Sequence, residues 1–503
     1  MKKAVTTFIL VFAIIANTFS QEKYTADWES LKQHKAVPEW FSDVEFGVYF
    51  TWGVYSVPAE ICEWYPRIMY VHDVTPEEKW WYWGYEHHKK TYGENFHYHD
   101  FIPQWKAEKF DAVEWLDMFE SMGVQFVGSI AEHHDGFSLW DSEVNPWNAA
   151  DMGPKIDIVK SIADETRNRD MKFMATFHHG FHGLYYPKEE NSFLRPNSYL
   201  NISYNNCEVP QDEKYRLLYG NYSYDEMNEL WLAKLNEVVA SVSPDYVWFD
   251  FGQKFIAEDY RKQFLAGFFN NAEKEGKEVA VNTKGGFFPE ELAMVNVERS
   301  TMIDIQDEVW VTDFILGSQW SYNKNQRTAI APSTAVRLLA DVVSKNGVLI
   351  LCVGPKADGT IPEEQVTTME GIGKWMDLYG EAIYKTEPFN IYGEGPTHFL
   401  SDGTDNIYVN AETIMKDLNA ADVRYTTRGK ELYVIQLGWD ENNSQKTLTA
   451  LAKRKGLKIK SLQVLGSKEK INWKQTSKGL VVNQPKSKPA EADIALVYKI
   501  TLR

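Results

Sequence analysis

Apolar and polar positions follow a repeated strand-then-helix order between about residues 40 and 385. Short runs rich in β-branched and aromatic residues predict strands, and stretches with apolar residues every three or four positions predict amphipathic helices. The predicted strands are residues 46–50, 124–130, 171–177, 246–250, 278–282 and 347–353. The predicted helices are residues 110–122, 156–169, 224–242, 261–277 and 333–344.

This repeated order predicts an α/β fold with a parallel sheet. Six clear strands, several of them ending in polar or aromatic residues, favour a (β/α)8-like barrel with its active site at the carboxyl ends of the strands. A doubly wound open sheet is the competing fold. No Gly-x-Gly-x-x-Gly sequence follows the first strand, however, so a dinucleotide site is not indicated.

Beyond residue 388 the pattern changes to short strands separated by turns, at residues 432–437, 457–465, 479–483 and 494–502. This pattern predicts an antiparallel β-sandwich over residues 388–503, after a catalytic barrel over residues 21–387. Polysaccharide binding by the sandwich and a purely structural role both stay open.

The first twenty residues have the layout of a secretory signal peptide. Lys2 and Lys3 precede an apolar run over residues 5–16, and small or polar residues lead to Gln21. No other run approaches about 18 uninterrupted apolar residues, so we expect no membrane span. We expect the mature chain to be exported to the periplasm or the extracellular medium.

Charge and composition narrow the range of partners. The chain has 53 basic and 71 acidic residues, a net charge of −18, which argues against binding to nucleic acid. The 18 Trp, 27 Tyr and 27 Phe residues either stack on sugar rings or form a large aromatic core. Cys62, Cys207 and Cys352 are too few and too scattered for a disulfide framework or a cysteine-based zinc site.

An acid ends the fourth predicted strand, because Asp250 follows the apolar run 246–249. A carboxylate in such surroundings is costly unless it is used or paired. A nucleophile or general base is therefore the first functional interpretation, and an ion-paired structural aspartate is the alternative.

Two adjacent histidines, His133 and His134, follow the second predicted strand. Zinc needs three or four converging ligands, so hydrogen bonding of neutral imidazoles to substrate hydroxyls is the preferred interpretation and no metal is expected. Glu63 and Trp64 follow Trp52 in the first loop, and Glu298 and Trp320 come later. Glycoside hydrolysis needs two carboxyl groups, ~5–5.5 Å apart where configuration is retained, and the sequence supplies enough carboxyl groups for that reaction.

Several motifs occur together in a specific order. They are residues 46–58, 63–65, 133–137 with 139–142, 248–250, 320–322, 354–355 with 358–361, and 380–384. In this order they resemble glycoside hydrolase family 29, the retaining α-L-fucosidases, over nearly the whole mature chain. The resemblance implies a barrel followed by a β-sandwich, exo-acting hydrolysis of terminal α-L-fucosyl residues through a covalent glycosyl-enzyme, and no metal or organic cofactor.

The resemblance also implies roles for single residues. Asp250 matches the nucleophile of the family. Ring hydroxyls of the sugar are expected to bind Glu63, His133 and His134, and aromatic rings are expected to cover its apolar face. The proposed substrate-binding set is Trp52, Glu63, Trp64, His133, His134, Phe177, Trp248 and Trp320.

Three positions depart from the family pattern. Thr51 stands where a histidine is usual, and residues 177–179 read Phe-His-His where a Tyr-rich run is usual. Val311 stands where many members carry the acid/base glutamate, and valine cannot donate a proton. Glu298 is then the first candidate for the acid/base, because Glu298-Arg299 looks like a Glu-Arg-Gly element of some members.

The alternatives to Glu298 as acid/base are Glu308 and Glu63, and a surface role for Glu298 stays open. Two other functions also stay open. L-galactose is L-fucose with a 6-hydroxyl, and the altered residues could accommodate it, which would make the protein an α-L-galactosidase acting on galactan oligosaccharides. The other is a catalytically silent glycan-binding protein. The expected partner is an α-L-fucosylated or related oligosaccharide, and the sequence does not indicate an oligomeric state.

Overall fold

A computed structural model describes residues 22–77, 81–186, 209–397, 407–442 and 444–503 of the chain. The predicted signal peptide and Cys207 lie outside the described residues. Within the described residues, no helix combines the length and the apolar character needed to cross a bilayer.

Eight parallel strands close into a barrel in chain order, which confirms the predicted fold. The strands are β1 (Phe46–Phe50), β2 (Phe126–Glu132), β3 (Lys172–Phe177), β4 (Tyr246–Phe249), β5 (Ala280–Thr283), β6 (Met294–Asn296), β7 (Trp310–Ile315) and β8 (Gly347–Val353). Strand β8 pairs with β1 from Phe46 opposite Leu349 to Phe50 opposite Val353, and this pairing closes the barrel.

Strands β6 and β7 complete the barrel and are absent from the sequence prediction. Strand β6 has only three residues, too few for a recognisable alternation. Strand β7 contains Thr312 and Asp313, both buried. The Thr312 hydroxyl lies 2.8 Å from the Val297 carbonyl and 2.7 Å from that of Ser300. Tertiary hydrogen bonding therefore stabilises polar residues that weaken the strand pattern.

Helices surround the barrel. The helix Tyr224–Val242 has the predicted bounds, because its start carries a capping box: Glu226 N–H donates to the Ser223 hydroxyl, and Ser223 N–H donates to the Glu226 carboxylate. The α-helices are Trp28–Leu31, Tyr65–Ile68, Gly84–Tyr92, Ala112–Ser121, Ile158–Asn168, His182–Tyr185, Tyr224–Val242, Glu258–Glu275, Pro332–Val343, Glu363–Tyr379 and Ala411–Met415.

Side chains fill the inside of the barrel. Tyr49, Phe126, Met174, Trp248 and Val311 belong to one buried cluster there. Gly47 leaves room for the Phe126 ring, since a Cβ at Gly47 would lie 2.1 Å from that ring. The interior is therefore a packed core, and only its carboxyl-end rim is open to a ligand.

The C-terminal region forms two antiparallel sheets, in agreement with the predicted sandwich. A five-stranded sheet has the order β9-β10-β11-β16-β13, and a three-stranded sheet has the order β12-β15-β14. The strands are β9 (Glu387–Glu394), β10 (Val423–Arg428), β11 (Glu431–Gln436), β12 (Gln445–Leu448), β13 (Ile459–Val464), β14 (Trp473–Gln475), β15 (Leu480–Asn483) and β16 (Leu496–Leu502). A separate short strand, Tyr408–Asn410, pairs with Ser300–Met302 of the barrel region.

Candidate active site

A cavity of about 460 Å³, counting its solvent-open mouth, lies at the carboxyl ends of the barrel strands. Its lining residues are Tyr49, Thr51, Glu63, Trp64, His133, His134, His178, Trp248, Asp250, Phe251, Lys284, Glu298, Asp313 and Trp320. Most of these residues end a strand or begin the loop after it, which is where active sites of such barrels lie.

Asp250 lines this cavity and is 7% exposed. It follows β4, and its backbone N–H donates to the Phe177 carbonyl at 3.1 Å. Its Oδ1 lies 2.6 Å from Lys284 Nζ, and its Oδ2 lies 3.3 Å from His134 Nε2. Burial acts to raise the pKa of Asp250, but the Lys284 charge and the His134 hydrogen bond outweigh it and hold the pKa well below its ordinary value. Asp250 is therefore ionised, as a carboxylate nucleophile must be.

Lys284 joins Asp250 to a second carboxylate. Its Nζ lies 2.6 Å from Glu298 Oε2 as well as 2.6 Å from Asp250 Oδ1. Two oxygens that share one nitrogen cannot lie farther apart than twice that distance, about 5.2 Å. This bound is compatible with the ~5–5.5 Å of retaining glycosidases and below the ~6.5–9.5 Å of inverting ones.

The backbone on both sides of Glu298 is bonded to β7. Val297 N–H donates to the Val311 carbonyl at 2.9 Å, and Arg299 N–H donates to the Asp313 carbonyl at 3.0 Å. The Glu298 side chain itself is 36% exposed. Glu298 is thus a solvent-accessible carboxylate on a fixed segment of backbone.

Three histidines line the cavity together. Burial lowers the pKa of His178 to about 3 and the pKa of His133 well below its ordinary value, so both rings are neutral near pH 7. The His134 Nδ1 donates to the His178 carbonyl at 2.6 Å, which fixes the His134 ring beside Asp250. As neutral imidazoles, His133 and His178 can both donate hydrogen bonds to ligand hydroxyls and accept them.

Two more buried carboxyl groups line the cavity. Burial raises the pKa of Glu63 to about 7 and that of Asp313 to about 6. Glu63 accepts from the Ser321 N–H at 3.3 Å, and Asp313 accepts from the Asn296 side chain at 3.0 Å. Each group can therefore bind a proton near neutral pH and donate to a ligand oxygen.

The structure brings together eight of the ten residues proposed from the sequence. Trp52 and Phe177 were predicted to bind substrate, but neither lines the cavity. Trp52 donates to the Lys356 carbonyl at 2.8 Å and packs in the wall of the barrel. Phe177 is fully buried and packs against Phe249. Adjacent residues at a strand end point to opposite faces, so His178 faces the cavity where Phe177 was expected.

The structure also places two of the residues that depart from the family pattern, Val311 and Thr51. Val311 is the second residue of β7 and lies within the barrel core, so its side chain is not part of the rim. Thr51 does line the cavity, and its hydroxyl lies 3.2 Å from Cys352 Sγ. Glu308, an alternative acid, is exposed and outside the cavity lining.

Sequence reasoning missed Lys284, Asp313, His178, Tyr49 and Phe251 as lining residues. Lys284 had a usable signal, since it comes two residues after a predicted strand and therefore belongs near the same rim as Asp250. No group of three or more His, Cys, Asp or Glu side chains arranged to hold a metal occurs within the described residues.

A closed barrel with two carboxylates this close together at its carboxyl-end rim meets the requirements of a retaining glycoside hydrolase. A family model described as alpha-L-fucosidase matches residues 11–381, and one described as alpha-L-fucosidase C-terminal domain matches residues 415–503. The chain belongs to the alpha-L-fucosidase family.

Individual relatives agree with this assignment. The chain is 27% identical to tissue alpha-L-fucosidase of Homo sapiens over 516 residues, covering 95% of this chain and 92% of that one. It is 25% identical to the rat tissue enzyme, covering 98% and 96%. The crystal structure of Thermotoga maritima alpha-fucosidase in complex with fucose is similar with a TM-score of 0.71 and 27% identity, covering 95% of this chain and all of the other.

Proposed function

We propose that this member of the alpha-L-fucosidase family removes terminal α-L-fucosyl residues from oligosaccharides with retention of configuration, using Asp250 as nucleophile and Glu298 as acid/base. The observation that carries the assignment is the upper bound of about 5.2 Å between Asp250 Oδ1 and Glu298 Oε2. That spacing leaves no room for the water that an inverting enzyme places beside the sugar.

The reaction proceeds in two steps. In the first, an Asp250 oxygen bonds to the anomeric carbon while the glycosidic C–O bond breaks, and Glu298 gives its proton to the leaving oxygen. In the second, Glu298 takes a proton from water, the water oxygen bonds to the anomeric carbon, and the bond to Asp250 breaks. Both carboxyl groups return to their starting states, and no cofactor takes part.

The remaining lining residues support this reaction by binding the sugar. His133 and His178, both neutral, and Glu63 are placed to hydrogen-bond its hydroxyls. The rings of Trp64, Trp248 and Trp320 supply apolar surface, on which a deoxysugar face can pack. These roles follow from position in the cavity, and single substitutions test each of them.

Azide distinguishes the two carboxylate roles. Initial rates on 4-nitrophenyl α-L-fucoside are compared for the wild type, Asp250→Ala, Glu298→Ala and the exposed control Glu308→Ala. Loss of a general acid is expected to lower the rate about 10²- to 10⁴-fold, and the control is expected to keep wild-type activity. Azide is expected to rescue Glu298→Ala with α-L-fucosyl azide as product, because azide attacks the covalent intermediate.

Rescue of Asp250→Ala is expected to give the β anomer, because azide then attacks substrate from the side that Asp250 occupied. The same anomer from both variants would contradict the assignment of roles. Wild-type rates on the α-L-galactoside decide the alternative specificity. The relatives described above are fucosidases, so we expect the fucoside to react faster.

We also propose that the chain is exported, on the basis of its first twenty residues. Expression of the full-length chain in a Gram-negative host, followed by fractionation and N-terminal sequencing, tests this. A chain that starts near Gln21 outside the cytoplasm is the expected result, and an uncleaved cytoplasmic chain would refute it. In the same way we propose a catalytic unit over residues 21–387 and a C-terminal unit over residues 388–503.

A further inference from the structure

Lys284 occupies a central place among the charges of the cavity. It is the only lysine or arginine among the described residues that line it. Its Nζ contacts Asp250 and Glu298 at 2.6 Å each and lies 5.2 Å from the centre of the Trp248 ring. Lys284 directly follows β5, and Gly285 and Gly286, with φ of +81° and +76°, turn the chain after it.

The surrounding charges would not be stable without this ammonium. Like charges at close range disfavour each other's ionised forms. The groups facing Lys284 are Asp250, Glu298 and Asp313, and those facing Asp250 from the other side are His133, His134 and His178. Burial lowers the pKa of a lysine, but the three carboxylates outweigh it and raise the pKa of Lys284 well above its ordinary value. Lys284 is therefore charged near neutral pH.

The same contact opposes the acid role of Glu298. An adjacent ammonium favours the ionised form of a carboxyl group, whereas a general acid must carry a proton. Movement of the Glu298 side chain away from Lys284 removes this opposition. The exposed Glu298 side chain can make this movement, while the buried Asp250 keeps the ammonium.

We propose that Lys284 is a positioning residue that keeps Asp250 ionised and holds Glu298 beside it before substrate binds, and that substrate then displaces Glu298 from the ammonium. This inference rests on the proposed function, because it acts through the two carboxylates assigned there. Lys284 then affects the ionisation of the nucleophile, which a purely structural ion pair would not do.

The pH profile of kcat/KM tests the first part. In Lys284→Met the acid limb, which reports ionisation of Asp250, is expected to move up by about 1–3 pH units, since an adjacent cation lowers an aspartate pKa by that much. Lys284→Arg is expected to restore the limb. The matched control is Lys324→Met, because Lys324 also lies 2.6 Å from a buried carboxylate, Glu60, but not in the cavity lining. An unmoved acid limb in Lys284→Met would overturn the proposal.

Two further measurements separate the nucleophile from the acid and guard against misfolding. The acid limb of kcat/KM is also measured with α-L-fucosyl fluoride. Its leaving group needs no proton, so a shift of the acid limb with this substrate reports the nucleophile alone. If Lys284→Met does not fold by circular dichroism, the uncharged Lys284→Gln takes its place. Failure of the azide results above would refute the proposed function, whereas an unmoved limb with those results intact refutes only the role of Lys284.

A crystal structure with an L-fucose-configured iminosugar bound tests the second part. We expect Glu298 Oε2 to lie beyond 4 Å, outside ion-pair range, from Lys284 Nζ, with the Asp250 contact kept. Persistence of both 2.6 Å contacts around a bound sugar would show that substrate does not displace Glu298.

Discussion

Removing the carboxylate of Asp341 is expected to destabilise the protein strongly. Asp341 lies in the helix Pro332–Val343, which packs against the C-terminal sheet. Its oxygens accept from Lys345 Nζ at 2.7 Å, from Arg424 Nε at 2.6 Å and from the Thr301 hydroxyl at 2.8 Å. The side chains of Asp341, Lys345 and Arg424 are at most 1% exposed, so Asp341→Ala leaves two buried cations without this carboxylate.

The size of the effect follows from that burial. Breaking a buried ion pair from one side costs about 3–5 kcal/mol, which is a large part of a typical unfolding free energy of about 5–15 kcal/mol. Urea unfolding, followed by both tryptophan fluorescence and far-UV circular dichroism, measures the change. Asp164→Ala is the matched control, because Asp164 makes the same 2.7 Å contact with a lysine four residues away, but on the surface. A surface pair contributes about 0.2–1 kcal/mol.

A third variant separates lost charge balance from lost packing. Asp341→Leu combined with Lys345→Met and Arg424→Met replaces all three charged groups by apolar ones, and such replacements are often neutral or stabilising. We expect this triple variant to recover most of the unfolding free energy that Asp341→Ala loses. If Asp341→Ala lowers the free energy of unfolding no more than Asp164→Ala does, the buried charges do not stabilise the junction.

Three other changes have defined outcomes. Burial raises the pKa of Glu63 to about 7, so the pH profile of kcat/KM should contain a titration near pH 7 that Glu63→Gln removes. Burial lowers the pKa of Lys345 to about 8. Between pH 8 and about 10.4 the unfolded chain therefore binds more protons at Lys345 than the folded chain does. The free energy of unfolding should rise across that range in the wild type but not in Lys345→Met. Urea unfolding midpoints measured at both ends of the range test this. Gly47→Ala should lower the thermal midpoint, because its Cβ would lie 2.1 Å from the Phe126 ring.

Local signals account for the elements that the sequence predicted well. Strand β1 and the helix Tyr224–Val242 have the predicted bounds, since one is a continuous apolar run and the other starts with a capping box. Strands β6 and β7 escaped prediction because neighbouring elements supply their stability. The three residues of β6 pair with β5 on one side and β7 on the other, and no local pattern records such pairing.

The same distinction applies to the site. Asp250 was predictable because an acid directly after an apolar strand is unusual, and His133 and His134 were predictable for the same reason. Lys284 was missed, although it follows a predicted strand, because a lysine before two glycines is typical of a surface turn. Its role depends on Asp250 and Glu298, which lie 34 and 14 residues away in the chain and come together only when the barrel closes.

The C-terminal region also reaches the proposed acid/base. Strand Tyr408–Asn410 pairs with Ser300–Met302, which begins two residues after Glu298, and Glu412 forms an ion pair with Arg299. Thr301, in that same paired strand, donates to Asp341, so the buried charges of the junction and the segment behind Glu298 are parts of one bonded network. A displacement of about 1 Å in a catalytic group can cost about 10²-fold in rate. The contacts that join the C-terminal region to the barrel therefore also help to hold Glu298 at the distance from Asp250 that retention requires.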